Sequence, residues 1–350
     1  MRLSRRRRGY ARRVPWPLEL TRDQILAFRR RAGALDERLP PGARSLRQAA
    51  WAGLTDSVPR AALLSIHARV EGTHPSSWED RALVQVWGPR YSTYVVPARD
   101  RAIFTLGRLP DDPSRRRRAE EMAARAHAAL RGGRMKDGDL QAALGVGNAL
   151  RYATTIGTLL IRWEGARAPE VWTVPAPEID PLEARRELAR RYLHVFGPGT
   201  PEAFAGWAGV TEGEARATFD SVASSIQAVR TPVGDGWILA RDEAAFLESP
   251  GPPARARLLP SGDSYVLFWG AWRELLVPDA RRRAELWTPR VWPGAILAAG
   301  EIVGTWRRAG AELGLRLWRK LSAAERDAVE TETRSLPLAG VGEIRISWNA

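Results

Sequence analysis

The stretch Gly53-Leu54-Thr55-Asp56-Ser57-Val58-Pro59-Arg60 leads into a helical run ending at Arg69-Val70, and then into Val84-Gln85-Val86-Trp87-Gly88-Pro89-Arg90. Thr, Asp and Ser are favoured at helix N-caps and Pro59 suits a first turn. A helix is therefore expected from Pro59 to Val70, with Ala62, Leu63, Ile66, Ala68 and Val70 close to helical spacing. Leu83 to Trp87 and Tyr91 to Val96 read as a strand pair. Upstream, Thr21 caps a helix from Arg22 to about Arg31, and Ser45 caps one from Leu46 to Trp51. Three short helices closed by a two-stranded wing is the order of a winged-helix module.

The same grammar recurs. Helices expected over Arg115 to Leu130, Lys136 to Leu144 and Asn148 to Gly157 precede strands at Leu159 to Trp163 and Val171 to Val174. A third round runs through Pro181 to Phe196, Pro201 to Trp207 and Thr211 to Ser225, then strands at Ile226 to Val229 and Trp237 to Ala240. Beyond Pro250-Gly251-Pro252-Pro253 come short apolar segments at Ala256 to Leu259, Ser264 to Phe268, Ala295 to Ala298, Ile302 to Trp306 and Leu313 to Trp318. The expectation is an α+β chain: a flexible basic arm at 1–17, tandem winged-helix (helix-turn-helix) modules at 18–110, 111–178 and 179–250, and a β-rich, barrel-like domain at 254–350.

With 350 residues and 44% apolar content the chain can bury several cores, and no apolar run is long enough for a membrane span. Lys plus Arg number 54 against 40 Asp plus Glu, a net charge of +14, and Lys136 and Lys320 are the only lysines. Such an excess points to a polyanionic partner, and the guanidinium fork suits phosphate, although Arg over Lys also fits a GC-rich coding bias. Cysteine is absent and His67, His74, His127 and His194 lie far apart, so neither disulfides nor a metal site is expected. Gly145-Val146-Gly147 lacks the third glycine or Lys-Ser/Thr pair of a nucleotide loop. The arm's Arg5-Arg6-Arg7-Arg8 precedes no apolar core of a signal peptide, and a cytoplasmic, nucleoid-associated protein is expected.

Four stretches in order resemble the AlkZ-like, YcaQ-type DNA glycosylases: the Gly53–Arg90 segment, Arg191-Tyr192-Leu193-His194-Val195-Phe196-Gly197-Pro198 with Trp207, Leu258-Leu259-Pro260 with Asp263, and Gly300-Glu301-Ile302-Val303-Gly304-Thr305-Trp306-Arg307. The resemblance spans roughly residues 21 to 335. It implies a C-shaped clamp that holds double-stranded DNA and hydrolyses the N-glycosidic bond of bulky alkylated or crosslinked nucleobases, without a cofactor and as a monomer. It also places Thr55, Asp56 and Ser57 where the family usually carries Gln, a middle residue, and Gln or Asp.

The triplet is thus the candidate catalytic group. Thr55 and Ser57 can hydrogen-bond a water, and Asp56, the one anion, could act as general base or stabilise positive charge on the sugar. Each of the three could equally do no more than cap the following helix. Candidate DNA-gripping residues are Arg60, Arg69, Arg90, Arg151, Arg162 and Arg167. Loss of the family's glutamines leaves a second reading open, a non-catalytic DNA binder that senses lesions or regulates transcription.

Overall fold

The computed structural model describes residues 18–165, 167–248, 251, 253 and 255–349, so the expected basic arm lies outside the described residues. The chain is a mixed α+β fold. The first part contains β1 (Leu18–Glu19), α1 (Arg22–Ala32), α2 (Ala43–Ala49), β2 (Leu54–Thr55), α3 (Ala61–His67), β3 (Leu83–Trp87), β4 (Thr93–Pro97) and α4 (Arg101–Thr105). The second holds α5 (Pro113–Leu130), β5 (Arg134–Lys136), α6 (Asp137–Leu144), α7 (Leu150–Ala153), β6 (Leu159–Arg162) and β7 (Glu170–Thr173). The third holds α8 (Pro181–Phe196), α9 (Pro201–Ala208), α10 (Glu212–Ser221), β8 (Ile226–Thr231), β9 (Gly234–Leu239) and α11 (Glu243–Leu247). The last runs through β10 (Arg257–Leu259), α12 (Trp272–Leu276), α13 (Ala280–Leu286), β11 (Gly294–Ala298), β12 (Glu301–Ala309), β13 (Glu312–Leu317), α14 (Ala323–Arg334) and β14 (Arg345–Asn349).

Helix starts follow local chemistry. Thr21, Thr211 and Ser322 each close a capping box with the residue three places on, and Asp180 accepts from the Leu182 and Glu183 amides ahead of α8. α3 is shorter than the run expected from Pro59 to Val70. Arg60 takes a left-handed backbone (φ 66°), so the helix begins only at Ala61. All seven residues of α3 are buried. A helix sealed in this way cannot enter a DNA groove.

Two expected units share one sheet. Its order is β2-β4-β3-β6-β7-β5, with Gln85 of β3 facing Ile161 of β6, so the strand pairs β3–β4 and β6–β7 join edge to edge. The expected unit at 18–110 is also divided differently by packing. β1 pairs in parallel with β8, and α1 lays Ile25 and Phe28 on Val229, Ile238 and Phe246, with the Phe28 and Phe246 rings stacked at 3.7 Å. The first helix therefore packs with the third part of the chain.

The C-terminal part departs most from expectation. Its strands form an open sheet, β10-β11-β12-β13-β14, and no pairing joins β10 to β14 among the described residues. It is not a closed barrel. α14 covers this sheet, placing Val329 against Leu258, Ile296, Leu313 and Leu315. Ser264 to Phe268, expected as a strand, instead makes a single tight turn at Ser264–Val266, because the Asp263 carboxylate accepts from the Tyr265 amide at 2.9 Å and caps it.

That same carboxylate ties the ends of the molecule together. Arg69, just beyond α3, donates from Nη1 to Asp263 Oδ2 and from Nη2 to Oδ1, both at 2.7 Å, and Ser65 Oγ donates to Oδ2 at 2.6 Å. Neither charged side chain exceeds 2% exposure. Burial works against the charged carboxylate, but the guanidinium and these further donors outweigh it and hold Asp263 below the usual carboxylate range. Asp263→Ala is expected to lose about 3–5 kcal/mol, since an uncompensated guanidinium remains in the interior, while the double change Arg69→Met with Asp263→Leu should lose less. Urea unfolding checks the order; a single variant as stable as the parent would contradict it.

Candidate nucleic-acid interface and catalytic triplet

The triplet leaves the end of β2 and turns toward α3. Thr55 pairs with Tyr94 in β4 and donates from its hydroxyl to the Gly262 carbonyl at 2.8 Å. Gly262 needs its left-handed backbone (φ 74°) here, and a Cβ on it would sit 2.8 Å from the Thr55 oxygen. Ser57 is exposed. Asp56 between them points the other way, as alternation about an extended segment requires, and is only 1% exposed.

Every contact of the Asp56 carboxylate is internal. Oδ1 accepts from the Ala62 amide at 3.1 Å, and Oδ2 accepts from Gln85 Nε2 at 2.7 Å and Arg60 Nη1 at 3.2 Å. Gln85 in turn accepts from the Trp163 amide at 2.7 Å, and Arg60 donates to the Trp163 carbonyl at 3.0 Å. The carboxylate is therefore the hub of a network joining β2, α3, β3 and the end of β6. Burial lifts its carboxyl to about 7 despite the Ala62 amide, Arg60 and Gln85, which favour the charged form. In this geometry Asp56 touches no open space, so the expected general base is not presented to a sugar.

Gln85 and Trp163 were not singled out as site residues. The available signal was a glutamine on the strand face shared by Leu83 and Trp87, where a polar side chain must find a partner.

The candidate arginines separate into classes. Arg69 is locked to Asp263 and cannot reach phosphate. Arg60 is a quarter exposed, lies 3.8 Å over the Trp78 ring and is bonded to Asp56. Arg162 is held between Glu79 at 3.0 Å and Glu164 at 3.1 Å, so its charge is largely compensated. Arg90, Arg151 and Arg167 are exposed. Arg90 stands in the turn between β3 and β4 (φ 54°), and its backbone sits so close to Gly209 that a Cβ on Gly209 would lie 3.1 Å from it. Arg151 adjoins exposed Tyr152, which meets Tyr91 edge to face at 4.9 Å. Arg167 lies in the loop between β6 and β7.

An open cleft of about 800 Å³ begins immediately after Ser57. Val58, Pro59, Arg60 and Trp78 form one wall, and Pro260, Ser261, Trp292, Trp306, Arg307 and Arg308 the other. Arg307 and Arg308 are exposed, and sequence reading did not select them because they sit on a strand, β12, whose first half is fully buried. Glu79 and Glu164 reach one rim. Among the described residues no group of three or more His, Cys, Asp or Glu could hold a metal ion, and no helix is long and apolar enough to cross a membrane.

An α+β chain with one six-stranded sheet, and an exposed hydroxyl next to a cleft lined by tryptophans and arginines, defines a candidate nucleic-acid-processing protein. Sequence comparison specifies it further: the family model described as DNA glycosylase AlkZ-like matches residues 46–337, and the chain belongs to the AlkZ-like DNA glycosylase family. Its fold is similar to that of Streptomyces sahachiroi DNA glycosylase AlkZ, with a TM-score of 0.74 over 95% of this chain and 100% of that one, at 17% identity. No curated protein matches it in sequence.

The network around Asp56 makes a pH prediction. The folded protein keeps this proton up to about pH 7, whereas an unfolded aspartate gives it up near 4. Stability should therefore fall as pH rises from about 4 to about 7 and level off above that. Asp56→Asn, followed by thermal unfolding across this range, should flatten the limb; an equally steep limb in the variant would assign it to another group.

Proposed function

We propose that this protein is a DNA glycosylase that releases bulky alkylated or crosslinked bases from double-stranded DNA by hydrolysis. The observation that carries this reading is the exposed Ser57, next in sequence to Val58 in the wall of a cleft lined by tryptophans and arginines, in a chain of the AlkZ-like family. Hydrolysis of an N-glycosidic bond needs a water held near the anomeric carbon and stabilisation of an oxocarbenium-like sugar. The Thr55 hydroxyl already donates its hydrogen bond to the Gly262 carbonyl, so its oxygen can accept from a water, and Ser57 can both donate and accept. Asp56 serves as a positioning residue, fixing the turn through the Ala62 amide.

Winged-helix units arranged as a clamp would bring Arg90, Arg151, Arg167, Arg307 and Arg308 to the phosphates, since buried α3 cannot enter a groove. The protein would act as a monomer at the nucleoid. The alternative, a DNA binder without catalysis, is favoured by one feature: the triplet's only carboxylate is fully engaged inside the fold.

Incubation with DNA carrying bulky alkylated bases, then alkali, separates the two. The glycosylase should give alkali-dependent strand breaks, and Thr55→Ala with Ser57→Ala should slow them by about 10²-fold or more without loss of binding. Tight binding with no breaks on alkylated or crosslinked DNA would overturn the catalytic reading. With about six to eight phosphates neutralised, log affinity should fall against log salt with a slope of roughly −5 to −7, and Arg90→Gln or Arg151→Gln should each reduce it by about 1. A slope near zero would remove DNA as the partner.

A further inference from the structure

A second cavity, of about 450 Å³, opens between the end of α1, the exposed side of α2 and the last turn of α8. Its lining carries Arg44, Arg47, Arg69 and Arg99 together with Gln48 and His194, and no Asp or Glu. This composition is the reverse of the cleft beside the triplet, where Glu79 and Glu164 balance the arginines. Arg69 is already satisfied by Asp263, which leaves Arg44, Arg47 and Arg99 as the available cations. Arg44 and Arg47 lie one helical turn apart on α2 and make no ion pair or side-chain hydrogen bond among the described residues. Arg99 is 70% exposed and touches only its neighbour Asp100, at 3.6 Å.

The floor is rigid and oriented. His194 donates from Nδ1 to Asp242 Oδ2 at 2.7 Å, and this carboxylate, 9% exposed, fixes Nδ1 as the protonated nitrogen. Its ring is wedged edge-on against Trp51 at 5.2 Å and Phe28 at 5.7 Å. Trp51 is held by Arg191, which donates to the Trp51 carbonyl at 2.9 Å and to Asp100 at 3.0 Å. Arg44 and Arg47, without an ion pair among the described residues, and exposed Arg99 are like charges around one concave surface, and an anion seated among them relieves their repulsion. The volume falls within the range of small-ligand sites, about 300–1,000 Å³.

We infer that this cavity binds a phosphoryl group, with Arg44, Arg47 and Arg99 donating to its oxygens. The site is separate from the triplet's cleft and does not depend on glycosylase activity. The same chemistry could be met by a free phosphorylated nucleotide or by a backbone phosphate of a DNA end, and the test distinguishes them.

The full-length protein is titrated at constant ionic strength with inorganic phosphate and with a deoxynucleoside 5′-monophosphate, read by thermal unfolding and calorimetry. Arg44→Gln with Arg47→Gln removes one exposed and one half-buried guanidinium; Arg117→Gln with Arg118→Gln removes two exposed ones on α5 as a charge control. Phosphate should stabilise the parent and the α5 control alike, and the α2 variant should bind at least tenfold more weakly. If the α2 variant also loses affinity for a 5′-phosphorylated duplex but not for an unphosphorylated one, the source is a DNA end; if both duplexes bind as before, it is a free nucleotide. Absence of phosphate-dependent stabilisation in the parent, or equal weakening in the α5 control, would overturn the inference.

Discussion

The buried pair of Arg69 and Asp263 is the constraint on which the rest of the molecule depends. The two residues stand 194 positions apart, yet they meet with both hydrogen bonds at 2.7 Å in a site closed to water. The contact fixes where the loop before the C-terminal sheet lies relative to α3. One residue earlier in that loop, the Gly262 carbonyl receives the Thr55 hydroxyl. The candidate catalytic turn and the far wall of its cleft are thereby set against each other by a charge pair that could not be left half-made. A buried ion pair adds little to net stability compared with well-packed apolar side chains, so its plausible benefit is geometric.

Arginine has two occupations in this protein. Part of the excess charge lies on the surface, as at Arg90, Arg151, Arg307 and Arg308. Another part is internal and caps carbonyl groups between parts of the chain. Arg29 reaches the Phe196 carbonyl at the end of α8 and lies 3.9 Å over the Phe268 ring. Arg108 donates to the carbonyls of Ala208 and Trp87 at 2.8 and 3.0 Å. Burial lowers both guanidinium groups to about 10, which still leaves them charged at neutral pH. Net charge alone therefore overstates how much of the molecule is offered to phosphate, and the partner is better judged from where uncompensated guanidiniums gather.

Much of the fold was legible because local chemistry and packing agree. Pro181 to Phe196 is a helix with Asp180 before it and an apolar side of Leu188, Ala189, Tyr192 and Leu193, and its bounds match the sequence reading. The strand pair at Leu83–Trp87 and Thr93–Pro97 was equally plain from alternation and Gly88-Pro89. What escaped was set by distant partners. The capped turn at Ser264–Val266 looks like a strand until Asp263 is seen to hold it, and α12, α13 and α14 were hidden among apolar segments that suggested strands. At the site, sequence could name Thr55, Asp56 and Ser57 but not their directions. Asp56 faces inward because Gln85 and Ala62 await it there, and Arg69 could not be told from a surface arginine without its partner in view.

The most direct measurement is amide hydrogen exchange on the full chain, free and bound to duplex DNA containing a non-hydrolysable abasic-site analogue. The segments Ser57–Arg60 and Trp306–Arg308 should slow together on binding, because they form opposite walls of one cleft. Unchanged exchange at both segments, with protection confined to other surfaces, would contradict the placement of DNA at the triplet.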